Sequence, residues 1–370
     1  MRVLIAGGGT GGHLFPAIAL AEAFIKKDPA NQIQFVVTER PLDARILRER
    51  GFAFKTLKME GLKGKGLTGK LRALFRLPRV MAQSLKWIKE FRPDLVLGVG
   101  GYVSGPAVLS AWLKGLPCAV QEQNSIPGLT NRWLGYVVDR VFGAFRENEA
   151  FFPKGKLRIT GNPLRQALQG LPESGEAASR PLTLLIVGGS QGAHRINQAV
   201  VEALDELVPW KKALSFIHQT GEKDEKIVTQ VYEQRGFAYQ VQPFISDMVQ
   251  AYRQADVIIS RAGAMSVSEI TAMGKPSLLI PFPFAANNHQ EYNAKALVNA
   301  GAAEMILERD LSPGLLADRI RGWLADREGL SEMGRKAGQL ARPGAAEEIV
   351  SLCYELIEKK GRPLSGGPDH

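Results

Sequence analysis

The sequence predicts an α/β protein of two domains, each a parallel sheet wrapped by helices, with the two sheets facing a cleft. Three observations predict it. An apolar strand runs straight into a glycine-rich turn and then a helix twice, as RVLIAGGGTGGHLFPAIALAEAF (Arg2–Phe24) and as LTLLIVGGSQGAHRINQAVVEAL (Leu182–Leu204). Strand and helix patterns alternate along both halves, which is how strand–helix–strand crossovers build parallel sheets. At 370 residues the chain exceeds one ordinary core, so two domains of about 150–200 residues follow. Each strand–turn–helix unit is of the Rossmann-like kind. Its backbone N–H groups and the positive end of its helix converge on one spot, and glycine lets a phosphate approach the backbone closely.

In the first half, short β-rich runs predict strands near 3–6, 33–38, 52–57, 95–99, 118–121, 141–144 and 157–160. Helical spacing predicts helices near 14–27, 42–50, 69–91, 105–114 and 127–135, with Pro78 breaking the third near its middle. Residues 160–180, rich in turn formers and small polar side chains, read as a connector. The second half repeats the pattern, with strands near 182–187, 214–218, 239–242, 256–260, 277–281 and 303–306. Its helices fall near 193–207, 222–235, 247–254, 265–273, 288–299 and 313–325, followed by 328–341 and 344–360. The tail GRPLSGGPDH reads as disordered.

Composition excludes several classes. An apolar share of 45% and a charged share of 23% are those of an ordinary globular protein. Two cysteines, Cys118 and Cys353, make neither a disulfide framework nor a cysteine zinc site, and suit a reducing compartment. Residues 3–6 read as a short strand that meets glycines at once, so no secretory leader is expected. Residues 95–113 carry no charge and are long enough to span a bilayer, but four glycines and Pro106 divide them into strand, loop and helix.

The net charge of +10 is concentrated. Between Lys58 and Lys89 lie nine lysines and arginines against the single acid Glu60, a local excess of +8. Leu71, Leu74, Phe75, Met81, Leu85 and Ile88 share that segment at helical spacing. Two readings fit: an apolar stripe ringed by bases for an anionic membrane surface, or a packed helix with a solvated basic face.

Chemistry concentrates at the strand ends. Gly7-x-Gly9-x-x-Gly12 satisfies the dinucleotide fingerprint, with Glu39 at the end of the next strand as a ribose acid; a nicotinamide or flavin oxidoreductase therefore competes. His13, at the helix start, faces the anion site, where the positive helix end favours the neutral imidazole that accepts a proton; a capping role fits equally. The loop Gly188–Gly192 offers backbone amides and the Ser190 hydroxyl to a diphosphate, or is a tight turn. Ser266-x-x-Glu269 reads as a capping box, against a carboxylate accepting from two sugar hydroxyls. Asn287–Gln290 offers amides and an imidazole to a polyhydroxylated ligand, or Asn caps to a helix. No phosphate-binding G-x-x-x-x-G-K-[ST] loop, no H-E-x-x-H and no D-x-D occurs, so no metal site is expected.

Taken in order, GGGTGGH (7–13), GGYVSGP (100–106), EQNSIPGLTN (122–131), GNPLR (161–165), GGSQGA (188–193), HQTG (218–221), FISDM (244–248), SRAGAMSVSE (260–269) and NNHQ (287–290) resemble the bacterial peptidoglycan N-acetylglucosaminyltransferases that convert lipid I to lipid II. The resemblance spans the chain to about residue 350. It implies the glycosyltransferase B fold, with an acceptor- and membrane-facing domain over 1–162 and a donor domain over 163–342. The helix at about 343–360 would pack back on the first domain, and 361–370 would be the disordered tail. It implies donor binding of UDP-N-acetylglucosamine by Thr10, Gly11, Gly12, Asn124, Arg165, Ser190, Ile245, Ala264, Met265, Ser266, Val267, Ser268, Glu269 and Gln290. Within that set, Ile245 would lie by the uracil, Glu269 by the ribose, Ser190 on the diphosphate, and Asn124 and Gln290 on the sugar. It makes His13 the catalytic base, and Gly9, Gly101, Tyr102 and Ser104 the acceptor diphosphate loops. Leu71, Phe75, Met81 and Trp112 would form a membrane patch on the cytoplasmic face of the cell membrane, where the protein would sit peripherally. The acceptor would be the undecaprenyl diphosphate-linked lipid I. No cofactor and no nucleic acid are implied.

Overall fold

The computed structural model describes residues 1–58, 67–165, 168, 180–189 and 192–361, with the side chains of 67–77 outside that description. The chain divides into two units, Met1–Arg165 with Gly344–His370, and Gln166–Pro343.

The first unit carries β1 (Arg2–Ala6), α1 (Gly11–Lys27), β2 (Gln32–Thr38), α2 (Pro41–Glu49), β3 (Ala53–Leu57), α3 (Leu67–Phe91) and β4 (Leu95–Gly98). It continues with α4 (Ser104–Leu113), β5 (Cys118–Glu122), α5 (Leu129–Val137), β6 (Arg140–Gly143) and β7 (Leu157–Ile159). Its seven strands pair in parallel in the order β3-β2-β1-β4-β5-β6-β7. Along β1 successive side chains alternate between faces. Val3 and Ile5 enter one core with Leu14, Ile18 and Phe24 of α1, while Leu4 and Ala6 enter the other with Val80, Trp87 and Ile88 of α3.

The second unit carries β8 (Leu182–Val187), α6 (His194–Leu207), β9 (Leu214–Gln219), α7 (Glu225–Arg235), β10 (Ala238–Gln242), α8 (Met248–Gln254) and β11 (Val257–Ser260). Then follow α9 (Ala264–Ala272), β12 (Ser277–Leu279), α10 (His289–Asn299), β13 (Glu304–Met305), α11 (Pro313–Ala325) and α12 (Arg327–Gln339). Six parallel strands run in the order β10-β9-β8-β11-β12-β13. The last helix, α13 (Ala345–Lys359), belongs to the first unit, where Ile349, Val350, Cys353 and Ile357 join the α1 core. Tyr354 locks it there by a mutual hydrogen bond with Asn31.

In both sheets the strand order reverses once, between β1 and β4 and between β8 and β11. Ligands of open parallel sheets bind beyond the carboxyl ends of strands at such reversals. Both glycine turns of the sequence sit there.

One expectation fails. Pro78 does not break α3, which runs unbroken from Leu67 to Phe91. A helix-interior proline costs about 3 kcal/mol through its lost N–H and its clash. Burial of Val80, Trp87 and Ile88 on the sheet and packing on α4 hold the helix together past it. No helix among the described residues is long and apolar enough to cross a membrane.

Candidate functional site

In the first unit the turn after β1 and the turn after β4 meet. A Cβ on Gly101 would lie 2.7 Å from the Gly8 carbonyl oxygen, so the two glycine turns touch backbone to backbone. Thr10 is the residue before α1, and His13 lies in the first helical turn. The Thr10 Oγ1 sits 2.9 Å from His13 Nδ1, and the other edge of the ring rests on Gly100. A Cβ there would lie 2.8 Å from His13 Nε2. The imidazole is thus pinned on both sides in a half-buried position, while Gly11 and Gly12 are exposed.

Two residues missed in the sequence complete this loop. Asp43, on α2 and 2% exposed, accepts the Gly9 N–H at 2.8 Å and the Thr38 hydroxyl at 3.1 Å. The Arg40 guanidinium donates to the Gly9 carbonyl. Gly9, expected in an acceptor diphosphate loop, gives its N–H to an internal carboxylate. Glu39, the ribose acid of the oxidoreductase reading, is exposed at the end of β2. An acid one turn into the helix after β2 was the available signal.

Ser104 also works differently from expectation. Its side chain is fully buried and its hydroxyl lies 2.8 Å from the Ala6 carbonyl and 2.6 Å from that of Gly100. It ties the turn after β4 to the end of β1 from inside and offers no hydroxyl to a ligand. Tyr102, by contrast, is exposed.

Asn124 follows β5 in a loop organised by one carboxylate. Glu122 accepts the Asn124 N–H at 3.0 Å, the Gly128 N–H at 3.1 Å and the Asn131 Nδ2 at 2.9 Å. Burial pushes its carboxyl up from the ordinary value, and those donors pull it back. The neighbouring Gln123 gives its Nε2 to the Val99 carbonyl at 2.8 Å. Arg165 closes the unit, its guanidinium stacked 4.5 Å over the Phe15 ring of α1.

In the second unit, Ser190 lies outside the described residues, and Gly189 and Gly192 on either side of it are described. Gly192 donates its N–H to Gly189 across the turn at 2.9 Å. Gln219, in the HQTG segment at the end of β9, donates its Nε2 to the Gly189 carbonyl at 2.8 Å and accepts the Ile245 N–H at 3.0 Å. One buried amide thereby joins the glycine turn to Ile245. In the sequence, the signal for Gln219 is its place at a strand end.

The capping box does not form. α9 begins at Ala264 with Gly263 as its cap residue, which makes no side-chain cap, so Ser266 is already inside the first turn. Glu269 instead accepts from the Tyr252 hydroxyl at 3.0 Å. Burial drives that phenol well above its ordinary value, with Glu269 adding to it, so Tyr252 stays a donor. Of the remaining α9 residues, Val267 and Ala264 are buried, Val267 almost completely, so their side chains pack in the core. Met265, Ser266 and Ser268 are partly exposed. The Asn caps expected at α10 do not form either: Asn288 precedes the helix with left-handed backbone and no side-chain cap. Gln290 accepts the Phe282 N–H at 2.9 Å through Oε1, which leaves its Nε2 as a donor.

On the basic segment, Leu71 and Phe75 fall outside the described side chains. Met81 is half-buried and its sulfur takes the Ser110 hydroxyl at 3.8 Å. Trp112 is exposed, and α4 and α5, which pack on each other, carry further exposed side chains that sequence reasoning did not select: Leu113, Leu129, Trp133 and Tyr136. Their spacing crosses two helices, so no single-helix pattern marks them.

Comparison with known proteins follows from this geometry. The family model described as glycosyltransferase family 28 N-terminal domain matches residues 3–143, and its C-terminal domain counterpart matches 183–349. Over 363 residues the chain is 46% identical to the UDP-N-acetylglucosamine–N-acetylmuramyl-(pentapeptide) pyrophosphoryl-undecaprenol N-acetylglucosamine transferase of Myxococcus xanthus, covering 98% of this chain and 95% of that one. The protein of the same description from Syntrophus aciditrophicus is 48% identical over 357 residues, covering 96% and 99%. Among solved structures, Acinetobacter baumannii MurG aligns with a TM-score of 0.80 at 32% identity, covering 96% of this chain and 100% of that chain. The UDP-GlcNAc 2-epimerase from Neisseria meningitidis, at TM-score 0.67 and 14% identity over 96% of this chain and 100% of that chain, shares the fold.

Proposed function

The chain belongs to glycosyltransferase family 28, and from that premise we propose that it moves N-acetylglucosamine from UDP-N-acetylglucosamine to lipid I. The acceptor atom is the 4-hydroxyl of the muramoyl sugar on undecaprenyl diphosphate, and the product is lipid II, the precursor of peptidoglycan. The transfer is inverting and metal-independent. The hydroxyl attacks the anomeric carbon from the face opposite UDP, its proton passes to a base, and UDP leaves with the bonding pair.

His13 is that base. The observation that supports the role is its fixed position between Thr10 and Gly100 at a sheet reversal; a general base must be held in place to reach the proton it takes. On the donor side, Glu269 receives the ribose hydroxyls with one oxygen steadied by Tyr252. Ile245 borders the uracil, held by the same Gln219 that braces the glycine turn. That turn, with Ser190, and the start of α6 meet the diphosphate and stabilise the charge that grows there. Asn124 and the Gln290 amide address the sugar. Thr10, Gly11, Gly12 and Arg165 complete the set, and Gly101 and Tyr102 face the acceptor diphosphate.

The exposed apolar side chains of α4 and α5, with the basic α3, seat the protein on the cytoplasmic face of the membrane, where the lipid acceptor resides. The test is stereochemical: NMR of the product of a lipid I analogue reads a β linkage formed at the same rate with and without chelator. An α linkage, or a rate abolished by chelation, overturns the proposed course.

A further inference from the structure

Thr10 occupies the cap position of α1 with extended backbone, at φ −150° and ψ 156°. A threonine hydroxyl in that place ordinarily accepts an N–H of the first helical turn. This one makes no such cap. It sits instead 2.9 Å from His13 Nδ1. Thr10 is exposed and His13 is half-buried, so the hydroxyl is the outer member of the pair.

The other ring nitrogen faces inward. Gly100 is buried, and a Cβ on it would lie 2.8 Å from His13 Nε2 and 3.4 Å from Gln123 Oε1. Gln123 is 2% exposed, and its Oε1 has no hydrogen-bond partner among the described residues. An unmet carbonyl oxygen therefore stands on the Nε2 side of the ring.

That oxygen cannot trade places with its own amide nitrogen. Gln123 Nε2 gives its hydrogens to the Val99 carbonyl at 2.8 Å and to Gln121 Oε1. Gln121 gives its Nε2 to Asn162 Oδ1 at 2.9 Å, and Asn162 gives its Nδ2 to the Gln123 carbonyl at 3.0 Å. Backbone carbonyls only accept, so those of Val99 and Gln123 fix the direction of all three amides. A buried acceptor left unmet is costly, and it favours hydrogen on the nitrogen that faces it. The neighbours of each ring nitrogen set the tautomer of a histidine. With hydrogen on Nε2, the lone pair is on Nδ1, where the Thr10 hydroxyl donates.

We propose that the Thr10 hydroxyl carries the proton of the acceptor hydroxyl to His13 Nδ1, which makes Thr10 a catalytic residue. The inference rests on the reading of His13 as the base and says by which atom the proton reaches it. As the acceptor oxygen bonds to the anomeric carbon, its hydrogen passes to Thr10 Oγ1. The hydrogen already on Oγ1 passes to Nδ1 in the same step, and the bonding pair leaves with UDP. Threonine ends the step as it began, and the imidazolium keeps its Nε2–H on the side of Gln123.

The experiment measures single-turnover rates with a lipid I analogue at saturating donor, and UDP affinity beside them. It compares wild type, Thr10→Val, Thr10→Ser, His13→Ala and the double variant of Thr10→Val with His13→Ala. Thr10→Val keeps the shape and loses the hydroxyl, so its rate should fall by about 10²–10⁴, to the level of His13→Ala. The double variant should fall no further, because the two residues act as one unit. Thr10→Ser should keep most of the rate, and UDP affinity should change far less than the rate throughout. In mixtures of light and heavy water the wild-type rate should bow downward, since two protons move together; a hydroxyl that only orients the ring gives a straight line. That straight line overturns the relay, as does Thr10→Val at the wild-type rate beside a slow His13→Ala. A His13→Ala protein at the wild-type rate overturns the base reading itself.

Discussion

Tyr252 donates its hydroxyl hydrogen to Glu269 Oε2 across 3.0 Å, joining α8 to α9. Tyr252 is 2% exposed, so the bond is screened from water and fixes one carboxylate oxygen. Removing it takes away one of the bonds that orient the glutamate. Tyr252→Phe is expected to weaken UDP about three- to tenfold, the range of a single hydrogen bond, with little change in Tm. Glu269→Ala is expected to lose more UDP affinity than thermal stability. Calorimetric titration with UDP beside a melting curve checks both; a large Tm loss with UDP binding intact would make Glu269 a structural residue.

Gly100 leaves His13 its place. A side chain at 100 would enter the imidazole, and the backbone there has φ of +91°, a conformation unfavourable to residues with a Cβ. Gly100→Ala should therefore lower kcat toward the level of His13→Ala, which is expected to fall by about 10²–10⁴. UDP affinity should change little in either. Steady-state kinetics with a lipid I analogue decide this, and an unchanged kcat in His13→Ala removes the histidine from the role of base.

His218 makes stability depend on pH. Burial pushes its imidazole down to about 3, whereas an unfolded histidine titrates near ~6.5. The folded form therefore binds fewer protons than the unfolded form between those values. The sign follows: the stabilisation is complete above ~6.5 and is lost as pH falls toward 3, at up to about 1.4 kcal/mol per pH unit. Melting curves of the wild type should drop more steeply than those of His218→Gln as pH falls from ~6.5 to ~4. Parallel curves would show that His218 is not the group responsible.

Trp112 and Trp133 are 46% and 70% exposed, beside a segment of strong positive charge. Trp112→Glu with Trp133→Glu should reduce binding to vesicles containing anionic lipid by about tenfold or more, since each loses buried apolar area and adds like charge to the membrane. Wild-type binding should weaken with salt. Sedimentation with vesicles reads this directly; retention of binding by the double variant would place the contact elsewhere.

Much of the fold was legible because it rests on local signals. Continuous apolar strands ending in glycine mark β1 and β8, and helical spacing marks most helices to within a few residues. Pro78 misled because its penalty is local, while the burial of Val80 and Trp87 that offsets it is tertiary. The capping box misled for a related reason: Ser266 and Glu269 have the right spacing, but the cap position is Gly263, three residues before Ser266. Residues that hold the site from behind were the least visible. Asp43 under Gly9, Ser104 under Ala6, and Gln219 between Gly189 and Ile245 each act through partners distant in sequence, which no short pattern records.

The most direct test follows the sugar. UDP-N-acetylglucosamine labelled in the sugar is incubated with the protein and a lipid I analogue, and label is counted in lipid product, free sugar and water alongside UDP released. The account predicts label in the lipid-linked disaccharide, one UDP for each sugar moved, and almost none with His13→Ala. Label released as free sugar or to water, or no transfer to lipid by the wild type, would contradict it.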